Sequence, residues 1–319
     1  MGRKKGVSLL LAAAWALFML TGCQGGSIEN KAQKNQPLGG PQQLVVYASF
    51  YPMYDFAAKV GGEHIELHNM LPSGTEPHDW EPSAQDMLNL EQADVFIYSG
   101  AGMEHWAEDV IRALDNTEIV VVNASQGIEL LPGASPAHEG AQHAVSEHDP
   151  HVWLNPLYAK KQMENIKDAL VLADPTYAPE YERNYQRSAE QMNELDQLFR
   201  QTLSALPNKS IVVQHKAFAY LCDRYGLEQM GIQGLSPDQE PDPVRMAEIV
   251  DYAREHQVTT IFFEEMASSK VAQTIAKELG AQTSVLNPLE GLSEEELAAK
   301  EDYLSVMKKN LQALAQALS

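Results

Sequence analysis

HDPHVWLNP, residues His148 to Pro156, is the stretch whose reading decides the rest of the chain. His151 is followed by Val152, Trp153 and Leu154, bulky side chains able to hold an imidazole ring in place. Asn155-Pro156 then supplies a helix start. Just upstream, residues 132–151 read PGASPAHEGAQHAVSEHDPH and hold His138, His143, His148 and His151. Imidazole is the commonest neutral metal ligand near pH 7. Gly, Ala, Ser and Pro dominate the run and offer little that can pack, so a surface loop over 136–150 is expected. His151 is read as a fixed ligand, and His138, His143 and His148 as an auxiliary antenna for metal. The same composition suits a solvated polar loop with no ligand.

Working outward, short apolar runs alternate with helical patterns. Strands are expected at 44–52, 65–71, 95–100 and 118–125, with helices near 53–60, 84–92, 104–114 and 157–172. After a long helix the plan restarts, with strands at 210–215, 227–232, 259–265 and 283–291. Helices fall between them and at 301–318. Such alternation indicates parallel sheets built from βαβ units. The fold class is therefore α/β, in two lobes of 44–174 and 208–319. The helical stretch within 175–207, opened by Asp174-Pro175 and closed before Pro207, is read as a rigid connector between the lobes, the alternative being an ordinary long helix packed on one of them. Tyr181, Tyr185, Met192, Leu195, Leu198, Phe199 and Leu203 recur there at spacings of three, four and seven. A helix of that length reaches roughly 45 Å, the scale of a domain.

The N-terminus bears on compartment. Arg3, Lys4 and Lys5 precede an apolar run from Val7 to Leu20, an export signal over 1–22 rather than a spanning helix. LTGC, Leu20 to Cys23, resembles a bacterial lipobox, which implies cleavage before Cys23 and lipid on its sulfur. Residues 23–43, rich in Gly, Asn, Gln, Lys and Pro, then form a tether. The chain has 23 basic and 44 acidic residues, a net charge of −21; without the three basic residues of the signal it is −24. That balance disfavours nucleic acid, whose phosphates need Lys and Arg, and concentrates cations near the surface. With Cys23 lipidated, only Cys222 remains, so neither a disulfide framework nor a thiolate cluster is available.

Four ligand-type side chains fall just after expected strands: His78 in GTEPHDWEPS, His151, His215 in VVQHKAFAYL, and Glu290 in VLNPLEG. Loops beyond the carboxyl ends of strands converge in open α/β sheets. Two of the four come from each half, so a single ion between the lobes is expected. His78 and His151 each have a Trp two residues on, Trp80 and Trp153, expected to clamp the rings. Glu264 and Glu265 also end a strand, and either competes for the fourth position or orients a histidine. His64, His68, His105 and His256 are read as structural or surface. A nitrogen-rich set favours Zn²⁺; Mn²⁺, which prefers more oxygen, is the less favoured ion.

The pieces LTGC, PHDWEPS, the His-rich insert before DPHVWLNP, VVQHKAFAYL, FFEEMASSK and LNPLEGL together resemble the zinc/manganese solute-binding lipoproteins of bacterial ABC importers. The resemblance implies two α/β lobes bridged by one long rigid helix, with metal in the cleft. It implies His78, His151, His215 and Glu290 as ligands, and a monomer anchored outside the cytoplasm through lipid. An ABC permease and its ATPase would be the partners. Manganese members tend to carry a carboxylate at the third position; His215 stands there, which supports the zinc-uptake branch. A manganese-specific protein of that family and a surface adhesin are alternatives. An extracellular zinc hydrolase is disfavoured, because neither HExxH nor GxSxG is present.

Overall fold

The computed structural model describes residues 43–133, 147–237, 241–266 and 268–319. Residues 42–319 form one compact unit containing two separate parallel sheets. The first half runs β1 (Leu44–Ala48), α1 (Tyr51–Gly61), β2 (Ile65–Asn69), α2 (Ala84–Leu90), β3 (Val95–Tyr98), α3 (Ala107–Ala113), β4 (Val120–Asn123) and α4 (Pro156–Ala173). Helix α5 (Ala178–Ser204) follows. The second half runs β5 (Ser210–Val213), α6 (Ala219–Tyr225), β6 (Glu228–Gly231), α7 (Pro243–Glu255), β7 (Thr260–Phe263), α8 (Lys270–Leu279), β8 (Gln282–Val285), α9 (Glu294–Ala298) and α10 (Tyr303–Ala317). The strand orders are β2-β1-β3-β4 and β6-β5-β7-β8, with every pairing parallel. Each half therefore executes the same plan.

The elements follow the expected order but the strands are shorter. The first strand was expected to reach residue 52, yet it ends at Ala48 and α1 begins at Tyr51. Pro52 sits in the first turn of α1, where its missing N–H has no partner to lose. Helix α9 went unrecognised although it carries its own start signal. Ser293 accepts from the Glu296 backbone while the Glu296 carboxylate accepts from the Ser293 backbone, a reciprocal cap.

Helix α5 is 27 residues long, about 40 Å at the helical rise. Its stripe of Tyr181, Tyr185, Ala189, Met192, Leu195, Phe199 and Leu203 is buried. Leu198 falls off the stripe and is 43% exposed, so spacing alone overcounted it. Asn184 donates to the Val60 carbonyl at the end of α1, at 3.1 Å. Further along, Asp196 accepts from Arg224 Nε (2.8 Å) and a second guanidinium nitrogen (2.9 Å), and from the Tyr225 hydroxyl (3.1 Å) on α6. The helix is thus fastened to elements of both halves. One continuous apolar core runs from Val46 and Ile97 of the first sheet through α4, α5 and α10 to Ile211 and Val213 of the second. Cys222 lies within this core, and burial pushes its thiol pKa upward.

Helix α10 returns to the first half. The Tyr303 hydroxyl donates to the Trp153 carbonyl at 2.6 Å, and its ring meets Phe56 edge-on at 5.1 Å. Both Tyr303 and Trp153 are fully buried. Removing the hydroxyl strands a buried carbonyl. Tyr303→Phe is expected to lower the unfolding free energy by about 1–3 kcal/mol, read as a lower urea midpoint at unchanged slope; an unchanged midpoint would contradict this.

Candidate metal centre

Each of the four sequence-selected residues lies beyond the carboxyl end of a strand. His78 sits in the loop between β2 and α2, and His151 just before the turn that leads into α4. His215 follows β5 by two residues, and Glu290 follows β8 by five. The Asn155 side chain accepts from the Leu157 N–H and Pro156 occupies the first turn of α4, fixing the chain direction just past His151. Trp153 lies 5.4 Å from the His151 ring, as the local pattern suggested. Trp80 does something else: it packs edge-on against Trp106 at 5.3 Å and so anchors the His78 loop near α3.

The structure brings the four side chains together. One donor atom from each of His78, His151, His215 and Glu290 lies within 4.8 Å of all the others. His151 Nε2 is 3.3 Å from His78 Nε2 and 3.3 Å from His215 Nε2. Glu290 Oε1 is 3.2, 3.0 and 3.2 Å from the Nε2 atoms of His78, His151 and His215. These are five edges of a small tetrahedron of donors. His151 and His215 are fully buried, Glu290 nearly so, and His78 closes the outer side half-buried.

The outward nitrogens of two rings are held by carboxylates. His151 Nδ1 lies 2.9 Å from Asp149 Oδ1, which also accepts the His151 backbone N–H at 2.9 Å. His215 Nδ1 pairs with Glu264. An Nδ1–H donated to a carboxylate leaves the Nε2 lone pair facing inward, the form a metal requires. Burial disfavours both imidazolium forms, but the charges of Asp149 and Glu290 outweigh it and raise His151. Glu264 and Glu290 likewise hold His215 well above the usual imidazole range. Burial favours a neutral Glu290, yet the surrounding imidazoles, His215 foremost, hold its carboxyl well below the usual range. The centre is thus built around fixed negative charge that a cation, or protons, must balance.

The sequence reading did not single out Asp149, although it stands in HDPH itself. Nor did it mark Glu76, whose Oε1 lies 4.0 Å from His78 Nε2. Burial, followed by the Glu290 charge, pushes the Glu76 carboxyl up to about 9. Of the two strand-end candidates, Glu264 is buried against His215, while Glu265 is exposed and faces Glu296. Neighbouring residues of an extended chain point to opposite sides, so only one could turn inward. His148 lies at the neck of the His-rich loop, bridged to Pro132. His138 and His143 lie outside the described residues, as does Cys23. His64, His68 and His256 stack on Tyr177, Tyr47 and Tyr252 and are not among the four clustered donors.

The loop that presents Glu290 is unusual. Leu289 is fully buried and holds φ at +62°, a left-handed conformation that costs a non-glycine residue about 1–2 kcal/mol. Asn287 Oδ1 accepts the Leu289 N–H at 2.7 Å, closing the turn. The Trp153 indole donates to the Pro288 carbonyl at 2.8 Å. The segment after His151 therefore grips the loop before Glu290.

Residues 46–317 match the family of the zinc-uptake complex component A, periplasmic. The chain is 41% identical to the high-affinity zinc uptake system protein ZnuA of Bacillus subtilis, over 99% of this chain and 98% of that one. It is 39% identical to the zinc-binding lipoprotein AdcA of Streptococcus pneumoniae, over 98% of this chain but 61% of the longer relative. The Zn(II)-bound ZnuA-like domain of that pneumococcal protein superposes with a TM-score of 0.76 at 40% identity, covering 87% of this chain and 99% of that domain. A chain matched over nearly its whole length in sequence, and superposing so closely in fold, belongs to the zinc-uptake complex component A family.

Proposed function

We propose that this chain captures Zn²⁺ outside the cytoplasm and delivers it to an ABC-type importer, with His78, His151, His215 and Glu290 as the four ligands. The donor tetrahedron carries this reading. Zinc bonds imidazole nitrogen and carboxylate oxygen at about 2.0–2.2 Å. A regular tetrahedron of such bonds has edges of roughly 3.3–3.6 Å, close to the 3.0–3.3 Å separations found. Mn²⁺ favours six mostly oxygen ligands, which this cluster does not offer. Asp149 and Glu264 orient the rings, and His138, His143 and His148 feed ions towards them.

A zinc hydrolase keeps one coordination position for an activated water. Here Glu290 Oε1 occupies that fourth corner, within 3.2 Å of all three ring nitrogens. The arrangement suits holding an ion rather than activating water upon it. The proposed organisation is a signal peptide over 1–22, lipidated Cys23 with a tether to residue 43, lobes over 44–174 and 208–319, and a connector over 175–207. The protein acts as a monomer on the outer face of the membrane, facing a permease and its ATPase. No helix among the described residues is long and apolar enough to cross a membrane.

His151→Ala is expected to weaken zinc binding by more than about 100-fold, since loss of a ligand exceeds the cost of disturbing a ligand's partner. Chelator-competition calorimetry checks it, and unchanged affinity would refute the ligand assignment. Deleting residues 136–147 should leave equilibrium affinity within about twofold and slow capture only at scarce zinc, as stopped-flow would read. A large affinity loss would instead place a primary ligand in that loop. The raised His151 and His215 values fix the sign of the pH dependence. Their protons stabilise the metal-free fold below the unfolded imidazole value, and that contribution fades as pH rises through the folded values. Zinc must displace the same protons. The melting-temperature gap between zinc-loaded and metal-free protein should widen from about pH 6 to about pH 8; a gap that narrows would contradict it.

A further inference from the structure

We infer that Asn310, on α10, is a positioning residue for the metal-binding carboxylate of Glu290, acting through the backbone of Asn287. The inference rests on the proposed ligand role of Glu290. Strand β8 ends at Val285, and the last rung to β7 is the Leu286 N–H donating to the Phe263 carbonyl at 3.0 Å. Beyond that rung the chain must leave the sheet and turn towards the imidazoles. At Asn287 the side-chain amide of Asn310 takes the place of a neighbouring strand. Its Oδ1 accepts the Asn287 N–H at 2.9 Å, and its Nδ2 donates to the Asn287 carbonyl at 2.7 Å. Both residues are buried.

With its backbone clamped in this way, Asn287 directs its own side chain along the turn. Its Oδ1 accepts the Leu289 N–H at 2.7 Å, and its Nδ2 donates to Glu296 Oε1 at 3.1 Å. Leu289 is held in its left-handed conformation by this closure, and Glu290 emerges with Oε1 at 3.0–3.2 Å from three ring nitrogens. A backbone conformation disfavoured for leucine persists only where its surroundings over-determine it. The Asn310 amide and the Trp153 indole on Pro288 are those surroundings. Without Asn310, the Asn287 N–H and carbonyl lose their partners in a buried site, and the turn is free to relax to a conformation that withdraws the carboxylate.

The test compares Asn310→Ala, Glu290→Ala and the double variant in the full chain, loaded with Zn²⁺ for affinity and with Co²⁺ for its visible absorption. The intensity of the cobalt bands falls when a tetrahedral site gains water or loses a protein donor. Asn310→Ala is expected to weaken zinc binding by about 10–100-fold, the usual cost of losing a group that orients a ligand, and to change the cobalt spectrum towards that of Glu290→Ala. The double variant should bind zinc no more weakly than Glu290→Ala alone, because nothing remains to be positioned. Asn310→Asp keeps the acceptor for the Asn287 N–H and loses the donor. It must give the same pattern, and it replaces Asn310→Ala if that variant is insoluble. Wild-type affinity and spectrum in the Asn310 variant, with only a lower melting temperature, would overturn the proposal. So would losses that multiply in the double variant. If Glu290→Ala itself leaves affinity and spectrum unchanged, the assignment of Glu290 as a ligand fails first, and the two failures are told apart.

Discussion

Buried negative charge in search of a counter-ion is the constraint on which the molecule depends. Asp149, Glu264 and Glu290 are all buried around two fully enclosed imidazoles. Ionised carboxylates in such a place are costly unless neutralised. Protons on His151 and His215 can do this in part, and a divalent cation among the four donors does it more completely. The groups we propose as ligands are therefore the same ones that render the metal-free interior less stable at alkaline pH.

The fold gathers that charge by bringing loops of both halves together: the Tyr220 hydroxyl of α6 accepts the Leu131 N–H at 3.0 Å and donates to the Asp149 carbonyl at 2.8 Å. Each sheet ends its strands towards the same space, and each contributes two of the four donors. What joins the halves is mostly apolar core along α4, α5 and α10, in which polar links are few and specific. Tyr303 to the Trp153 carbonyl and Trp153 to the Pro288 carbonyl form one such chain, running from the last helix through the His151 segment to the Glu290 loop. Lys59 of α1 forms another, held by Asp55 one turn earlier on the same helix at 2.7 Å and reaching Asp302, the cap of α10, at 2.9 Å. Separation of the halves would have to break these links together.

Much of this was legible in the residues. The β/α alternation and the long amphipathic helix follow from periodicity, because apolar burial sets both. His78, His151, His215 and Glu290 were picked out because each stood beside turn residues at a strand end. What sequence could not convey was direction. Glu264 and Glu265 are equivalent on paper, and only the strand's phase sends one to His215 and the other to Glu296. Trp80 and Trp153 occupy matching positions after a histidine, yet one clamps its ring and the other reaches Trp106. Leu198 fits the α5 stripe by number but not by angle. Asn310 lies twenty residues from Glu290 on a helix that looks ordinary, and its pairing with Asn287 leaves no local pattern to read.

The thiol of Cys222, the one cysteine among the described residues, is carried on α6 and sealed in the core, which has a consequence for life outside the cytoplasm. Thiolate is the form that couples oxidatively and that seizes soft metals. A sulfur kept protonated and enclosed does neither, so oxidising surroundings find no handle there for cross-linking two copies. Copper(I), which seeks sulfur, gains no foothold at that position either, so the ion selection we propose falls to the nitrogen-rich donor cluster.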